Sequence, residues 1–282
     1  MPVSKIKNLI LLILLLSVIG LLVQIIPAQL EQTRAEEALH TQLEQLFASY
    51  ELRLDGAALP RSVSLYAIEL SAQRTDAESA AQALLGADAV LQPDSTHYES
   101  TYSSAAGSCT FRSDGGFSAV LSGEKSVSEI RRAAGKLLRR MGFEAQSVSE
   151  PSRVSAGVYT VTAEQSLLGV PLLSDGLTLT YTNGCLTGIE GTFFTGASQL
   201  ARTSEDAGVS CADALVALLS GREALGWVGS EITAVRQCYR PAESASASVR
   251  MTPVWMIETD TGAFCVNGLT REIGAWDSTQ IS

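Results

Sequence analysis

The sequence predicts an α+β protein: an N-terminal transmembrane helix followed by two tandem modules, each a helix packed on an antiparallel sheet. Three observations lead there. One apolar run near the N-terminus is long enough to span a bilayer. Beyond it, helical periods alternate with short β-type runs joined by tight Gly-containing turns. One pattern of helix, glycine stop and aromatic residue occurs twice. These elements divide the chain into a cytoplasmic stub and anchor at 1–28, a juxtamembrane helix and α/β segment at 29–95, a first α+β module at 96–200 and a second at 201–282.

The anchor comes first. Ile6 to Ile26 is apolar except for Lys7, Asn8, Ser17, Gly20 and Gln24. At about 1.5 Å per residue this run covers roughly 30 Å, the thickness of the hydrocarbon core. A cleaved signal peptide has a shorter apolar centre and a small-x-small cleavage site. Here Ile26-Pro27-Ala28 puts a bulky residue where a small one is required. Lys5 and Lys7 precede the run and no acid lies before Glu31. The positive-inside rule therefore places the N-terminus in the cytoplasm and the body outside, on the plasma membrane.

Leu39, Leu43, Leu46, Phe47 and Tyr50 then recur at helical spacing. This stripe either packs on the body or pairs with a partner's helix; its shortness favours packing. Val63, Leu65, Ala67 and Glu69 alternate as one face of a strand. Thr75 to Leu85 reads as a helix with a Thr75/Glu78 capping box and Gly86 as its stop.

From Thr96 the pattern turns to strands: Tyr98 to Tyr102, Cys109 to Arg112 and Phe117 to Leu121, the last two joined by Asp114-Gly115-Gly116. A helix follows with a Ser126/Glu129 capping box, the apolar face Ile130, Ala133, Ala134, Leu137, Leu138 and Met141, and a stop at Gly142 before Phe143. Strands Val158 to Gln165, Leu177 to Tyr181 and Cys185 to Phe194 come next, with Asn183-Gly184 as a hairpin turn. Then Ser210/Asp213 opens a helix containing Ala214, Leu215, Leu218 and Leu219, closed at Gly226-Trp227. Its cap, stop and aromatic residues sit 84 positions after those of the preceding helix. Strands Ile232 to Tyr239, Met251 to Glu258 and Ala263 to Asn267 complete the second module.

Composition narrows the chemistry. Lys5 and Lys7 are two of 20 basic residues, so the rest of the chain carries 18 basic against 30 acidic ones. Such a body repels phosphates, which disfavours nucleic acid as a partner. The five cysteines are dispersed, with no C-x-x-C pair to hold zinc or run dithiol chemistry. They read as small packed hydrophobes or as one or two disulfides, the first being preferred. His40 and His97 are the only histidines, and neither has a spaced partner for a metal site or a nucleophile triad. Ser122-Gly123-Glu124-Lys125-Ser126 lacks the glycines of a phosphate loop. Lys125 and Lys136 are the only lysines outside the anchor flank; Lys136 belongs to an exposed basic cluster with Arg131, Arg132, Arg139 and Arg140. That cluster favours a helix C-terminus or forms a patch for an acidic partner. The expectation is a protein without enzymatic activity, with no catalytic, cofactor-binding or metal residues, no cofactor and no small-molecule substrate.

Three stretches resemble the YycH/YycI family of regulators of a sensor histidine kinase, and YycI more closely. They are Val3-Ser4-Lys5-Ile6-Lys7 running into the anchor, then Leu46-Phe47-Ala48-Ser49-Tyr50-Glu51-Leu52 with Leu59-Pro60, and the ending Thr252-Pro253-Val254-Trp255-Met256-Ile257, Gly262 to Gly268 and Arg271-Glu272-Ile273. Arg271 stands where the family has Gly, and Cys265 where Tyr is common. The ending is similar to PepSY-like modules as well. The resemblance implies a single-pass membrane regulator of a two-component system. It would act by contact on a sensor histidine kinase, with a paralogous regulator as a further partner. The PepSY-like resemblance implies instead an exported inhibitor or chaperone of a protease. The ending itself reads as a hairpin in which Trp255 and Ile257 share a core-facing side.

Overall fold

The computed structural model describes residues 37–54, 59–60, 65–71, 74–93, 95–96, 98–123, 126–196, 200–202, 208–242 and 248–276. Helix α1 (37–49) leads into β1 (Arg53–Leu54), β2 (Ile68–Ser71), α2 (Arg74–Leu85) and β3 (Val90–Leu91). The meander β4 (Glu99–Ser104), β5 (Gly107–Arg112) and β6 (Gly116–Leu121) runs up to α3 (Ile130–Arg140). There follow β7 (Ala145–Val148), β8 (Ser152–Ser155), β9 (Val158–Leu167), β10 (Val170–Pro171), β11 (Leu177–Thr182) and β12 (Cys185–Thr192). The chain closes with β13 (Leu200–Arg202), α4 (Cys211–Gly221), β14 (Glu231–Ala242), β15 (Ser248–Thr259), β16 (Gly262–Asn267) and β17 (Ile273–Trp276).

These strands form two sheets, so the architecture is mixed α+β with antiparallel pairing throughout except between β1 and β14. The ten-stranded sheet runs β10-β9-β11-β12-β6-β5-β4-β3, with β7 and β8 also paired to β9. The seven-stranded sheet runs β1-β14-β15-β16-β17; β2 pairs with β15 and β13 with β2. The membrane helix expected at Ile6–Ile26 lies outside the described residues, and no described helix is long and apolar enough to cross a membrane.

Two points differ from the expected modules. First, the larger sheet carries two helices. Ala77, Ala80, Ala81 and Leu85 of α2 and Ala134, Leu137 and Leu138 of α3 share one core with Tyr102, Phe111, Phe117, Leu179 and Ile189. The repeating unit is a helix followed by a three-stranded meander, and it occurs three times: α2 with β4–β6, α3 with β9, β11 and β12, α4 with β14–β16. Second, the stretch 29–95 is divided between the sheets. Leu43 and Phe47 of α1, with Leu52 and Leu54, pack against Leu215, Leu218, Trp255 and Ile257 of the smaller sheet's core, whereas α2 belongs to the larger one. Each such side chain, fully buried, contributes about 1.5–3 kcal/mol, so the division follows where apolar surface finds cover and not where it lies in sequence.

The glycine turns that follow α3 and α4 repeat their hydrogen bonds. Gly142 donates to Arg139 O (3.2 Å) and Phe143 to Leu138 O (2.9 Å); Gly226 donates to Glu223 O (3.1 Å) and Trp227 to Arg222 O (3.1 Å). The two turns share this bonding, with glycine at φ +80° and +63°, and both deliver a buried aromatic ring to the core. Only Gly142 stands at the end of its helix, however: α4 ends at Gly221, not at the expected Gly226, which closes a further turn over 222–226. At their other ends the helices part company. Ser210 Oγ accepts from Asp213 N (3.1 Å), capping α4 as expected. Ser126 does not cap α3: that helix starts after Glu129 without a side-chain cap, and Ser126 donates to Asn183 O (3.3 Å) across the sheet. Helix α2 begins at Arg74, which places Thr75 inside it.

The two sheets meet through a third core. Leu167 and Leu172 from the β9–β10 hairpin and Phe194 from the end of β12 pack with Leu65, Ile68, Leu70, Tyr239, Val249 and Met251. Leu173 N donates to Tyr239 O at 2.8 Å, carrying backbone pairing from one sheet to the other.

Candidate functional site

The residues that sequence reasoning weighed for chemistry are scattered. His40 is half-buried on α1, and His97 and Lys125 lie outside the described residues. Among the described residues no three His, Cys, Asp or Glu side chains converge as a metal site. The cysteines are free thiols. Burial pushes Cys109, Cys211 and Cys238 up to about 12, so they stay protonated at neutral pH and are poor nucleophiles. Cys238 and Cys265 share a small core with Val254, Met256 and Trp276. They pair with Val254 and Met256 from opposite sides of β15, and two strand spacings of roughly 4.8 Å each exceed the reach of a disulfide.

Trp255 is a structural residue. It is 1% exposed and donates from Nε1 to Val209 O at 2.8 Å, tying β15 to the start of α4. Ile257 shares its core, and the turn at Gly262 closes the hairpin between β15 and β16.

The junction of α1 with the smaller sheet is a second built feature. Arg222 donates to Trp227 O (3.2 Å), Gly229 O (3.1 Å) and Tyr50 O (3.5 Å), with its guanidinium 5.4 Å from the Trp227 ring centroid. One planar, five-donor group thus holds the end of α1 against the loop that follows α4. Arg53 and Leu54 then pair in parallel with Glu231 and Ile232, beside a turn in which Asp260 accepts from Ser230 N (2.9 Å) and Ser230 Oγ (2.9 Å). The hydrogen bond from Ser230 N above all holds the Asp260 carboxyl below its usual value.

The surface that stands out is the outer face of α3. Arg132, Lys136, Arg139 and Arg140 recur at three- and four-residue spacing opposite the buried Ala134, Leu137 and Leu138, and all four are exposed. Arg131, beside them, donates to Val148 O (3.1 Å) and ion-pairs with Glu150; Arg132 pairs with Glu129 at 3.2 Å. Lys136, Arg139 and Arg140 form no ion pair with any described residue. An open groove of about 580 Å³ adjoins the first turns of α3, where Ile130, Val148 and Pro151 lie among Ser128, Glu129, Arg131, Arg132 and Glu150. The basic spacing was visible in the sequence. The groove was not, because β7 and the turn into β8 are brought there by pairing with β9.

No family model matches this chain, and no curated protein matches it. Among solved structures it is similar to an uncharacterized protein from Eubacterium rectale, with a TM-score of 0.47 and 11% identity over 77% of this chain and 87% of the other. It is also similar to the Bacillus megaterium YpeB C-terminal domain, with a TM-score of 0.35 and 11% identity over 74% of this chain and 99% of that domain.

Proposed function

We propose that this chain is a membrane-anchored, extracytoplasmic regulator that works by protein contact, with a sensor histidine kinase as its partner. The observation that carries this reading is the way α1 is built into the body. Phe47 is fully buried and Leu43 nearly so, and Arg222 clamps Tyr50 O. In the sequence, ten residues lie between the end of the apolar run Ile6–Ile26 and α1. A displacement that reaches α1 would be passed to the smaller sheet through a packed helix. The resemblance of Leu46–Leu52 and of the Trp255 hairpin to the YycH/YycI family supports the same reading.

The repeated helix–meander unit favours a second reading, a PepSY-like exported inhibitor or chaperone of a protease. Photo-crosslinkers placed along Ile6–Ile26 in the native membrane separate the two. The first reading expects a histidine kinase to be recovered beside the anchor. Recovery of a protease on the exported body, with no kinase, would replace it with the second.

A further inference from the structure

We infer that the outer face of α3 is a docking surface for an acidic segment of a partner protein, whose apolar side chain enters the adjoining groove. The inference rests on the contact-regulator reading and adds to it the surface used and the chemistry of what binds.

The argument begins with charge. A chain of net charge −10 places five of its 20 basic residues within the 11 residues of α3. Attraction to the helix C-terminus accounts for Arg139 and Arg140 in the last turn. It leaves Lys136 unexplained, while Arg132 is offset by Glu129 three positions before it. Like charges four apart, such as Arg132 with Lys136 and Lys136 with Arg140, each destabilise an isolated helix by about 0.2–0.5 kcal/mol. The arrangement is unfavourable for the free helix and becomes favourable against an anionic occupant.

Neutralisation is uneven along the helix. Glu150 and Glu129 pair with Arg131 and Arg132 at the N-terminal end, where the groove lies with Ile130, Val148 and Pro151. Lys136, Arg139 and Arg140, toward the C-terminal end, have no such described partner. The surface is thus charge-balanced at one end, where Ile130, Val148 and Pro151 lie among paired charges, and cationic at the other, over roughly 16 Å of helix. A complementary segment carries an apolar side chain at one end and two or three carboxylates within about two helical turns of it. The groove distinguishes this occupant from an anionic lipid surface, which needs a cationic face but no side-chain pocket.

The test uses the full chain in a neutral detergent and fluorescence anisotropy with three labelled peptides. One carries a leucine followed by spaced glutamates, the second replaces its glutamates with glutamine, and the third replaces its leucine with serine. The first peptide should bind, with affinity falling as salt rises. The glutamine peptide, and the K136E/R139E/R140E variant with the first peptide, should each bind about tenfold more weakly or worse. The serine peptide should lose several-fold. A K136Q/R139Q/R140Q variant with an unchanged thermal melt guards against an unfolded helix and should also lose binding. No binding by the first peptide, equal binding of the glutamine peptide, or unchanged affinity in both variants overturns the inference. So does association with phosphatidylglycerol vesicles in place of the peptide, which would assign the face to lipid. A kinase crosslinked to the anchor while this face stays silent leaves the regulator reading standing and removes only this one.

Discussion

The Gln165 side chain is paired with the backbone of Phe194 as though it were a strand: its Nε2 donates to Phe194 O at 2.8 Å, and its Oε1 accepts from Phe194 N at 3.0 Å. Gln165 is 2% exposed, and Phe194 sits in the core shared by the two sheets. One amide therefore satisfies both polar groups of a backbone unit that has left β12 and would otherwise be buried unpaired.

Gln165→Leu removes both partners while keeping the volume. With a donor and an acceptor left dry, the loss of stability should be about 2–4 kcal/mol in urea unfolding. Gln165→Glu cannot donate to Phe194 O, so it should fall well short of wild type at neutral pH. A loss under about 0.5 kcal/mol in Gln165→Leu would mean the joint is not sealed by this pair.

Gly142 and Gly226 allow a separate test of the repeat. Both have positive φ, and a Cβ added at either meets no atom within 4 Å. Alanine at each should cost about 1 kcal/mol from backbone strain alone, and by similar amounts. A large difference between the two melting curves would break the equivalence of the two glycine turns.

Arg222→Lys keeps the charge and loses the fork. Three backbone carbonyls, of Trp227, Gly229 and Tyr50, then compete for one ammonium group. Amide hydrogen exchange should rise across residues 37–54 while the larger sheet stays protected. Unchanged exchange there would show that α1 is held by apolar packing without the clamp.

The three most perturbed thiols predict the alkaline limit. Their folded value of about 12 lies above the ordinary value of 9.0 for Cys109, Cys211 and Cys238. Below pH 9.0 both folded and unfolded chains keep the proton and stability is intact. Between 9.0 and about 12 the unfolded chain loses protons that the fold retains, so stability falls with rising pH. The slope approaches about 1.4 kcal/mol per pH unit for each thiol. Cys109→Ala should flatten it, as read by urea midpoints against pH.

Much of this fold was legible in the sequence wherever a buried face produced a regular pattern. The α3 stripe of Ala134, Leu137 and Leu138, the Asn183-Gly184 turn, whose residues both take positive φ, and the Trp255–Ile257 face are all written in the chain as local patterns. What was missed has local causes. β7 and β8 are mostly or wholly exposed, so they carry no alternation to read. Helix α2 meets its core with three alanines and a single buried leucine, Leu85, a face too slight to announce which sheet it serves. Ser126 has the sequence of a cap, but its hydroxyl is taken by Asn183 from 57 positions away. The candidate site divides in the same way: the cations of α3 are set by a helical period, the groove beside them by sheet pairing.

The parallel pairing of Arg53 with Glu231 also fixes an order of events during synthesis. The smaller sheet begins with the earliest described residues and is finished only by the last, with Tyr50 and Arg222 lying 172 positions apart. The larger sheet, whose strands run from Val90 to Thr192, emerges whole in between. It can therefore fold first, while the apolar side of α1 is not fully covered until α4 and then β14 to β16 arrive. Closing so long a loop is slow, because its entropy is lost before any contact compensates it. A chain truncated before Glu231 keeps α4 beside α1 but lacks β14 to β16, so the apolar side of α1 is only partly covered.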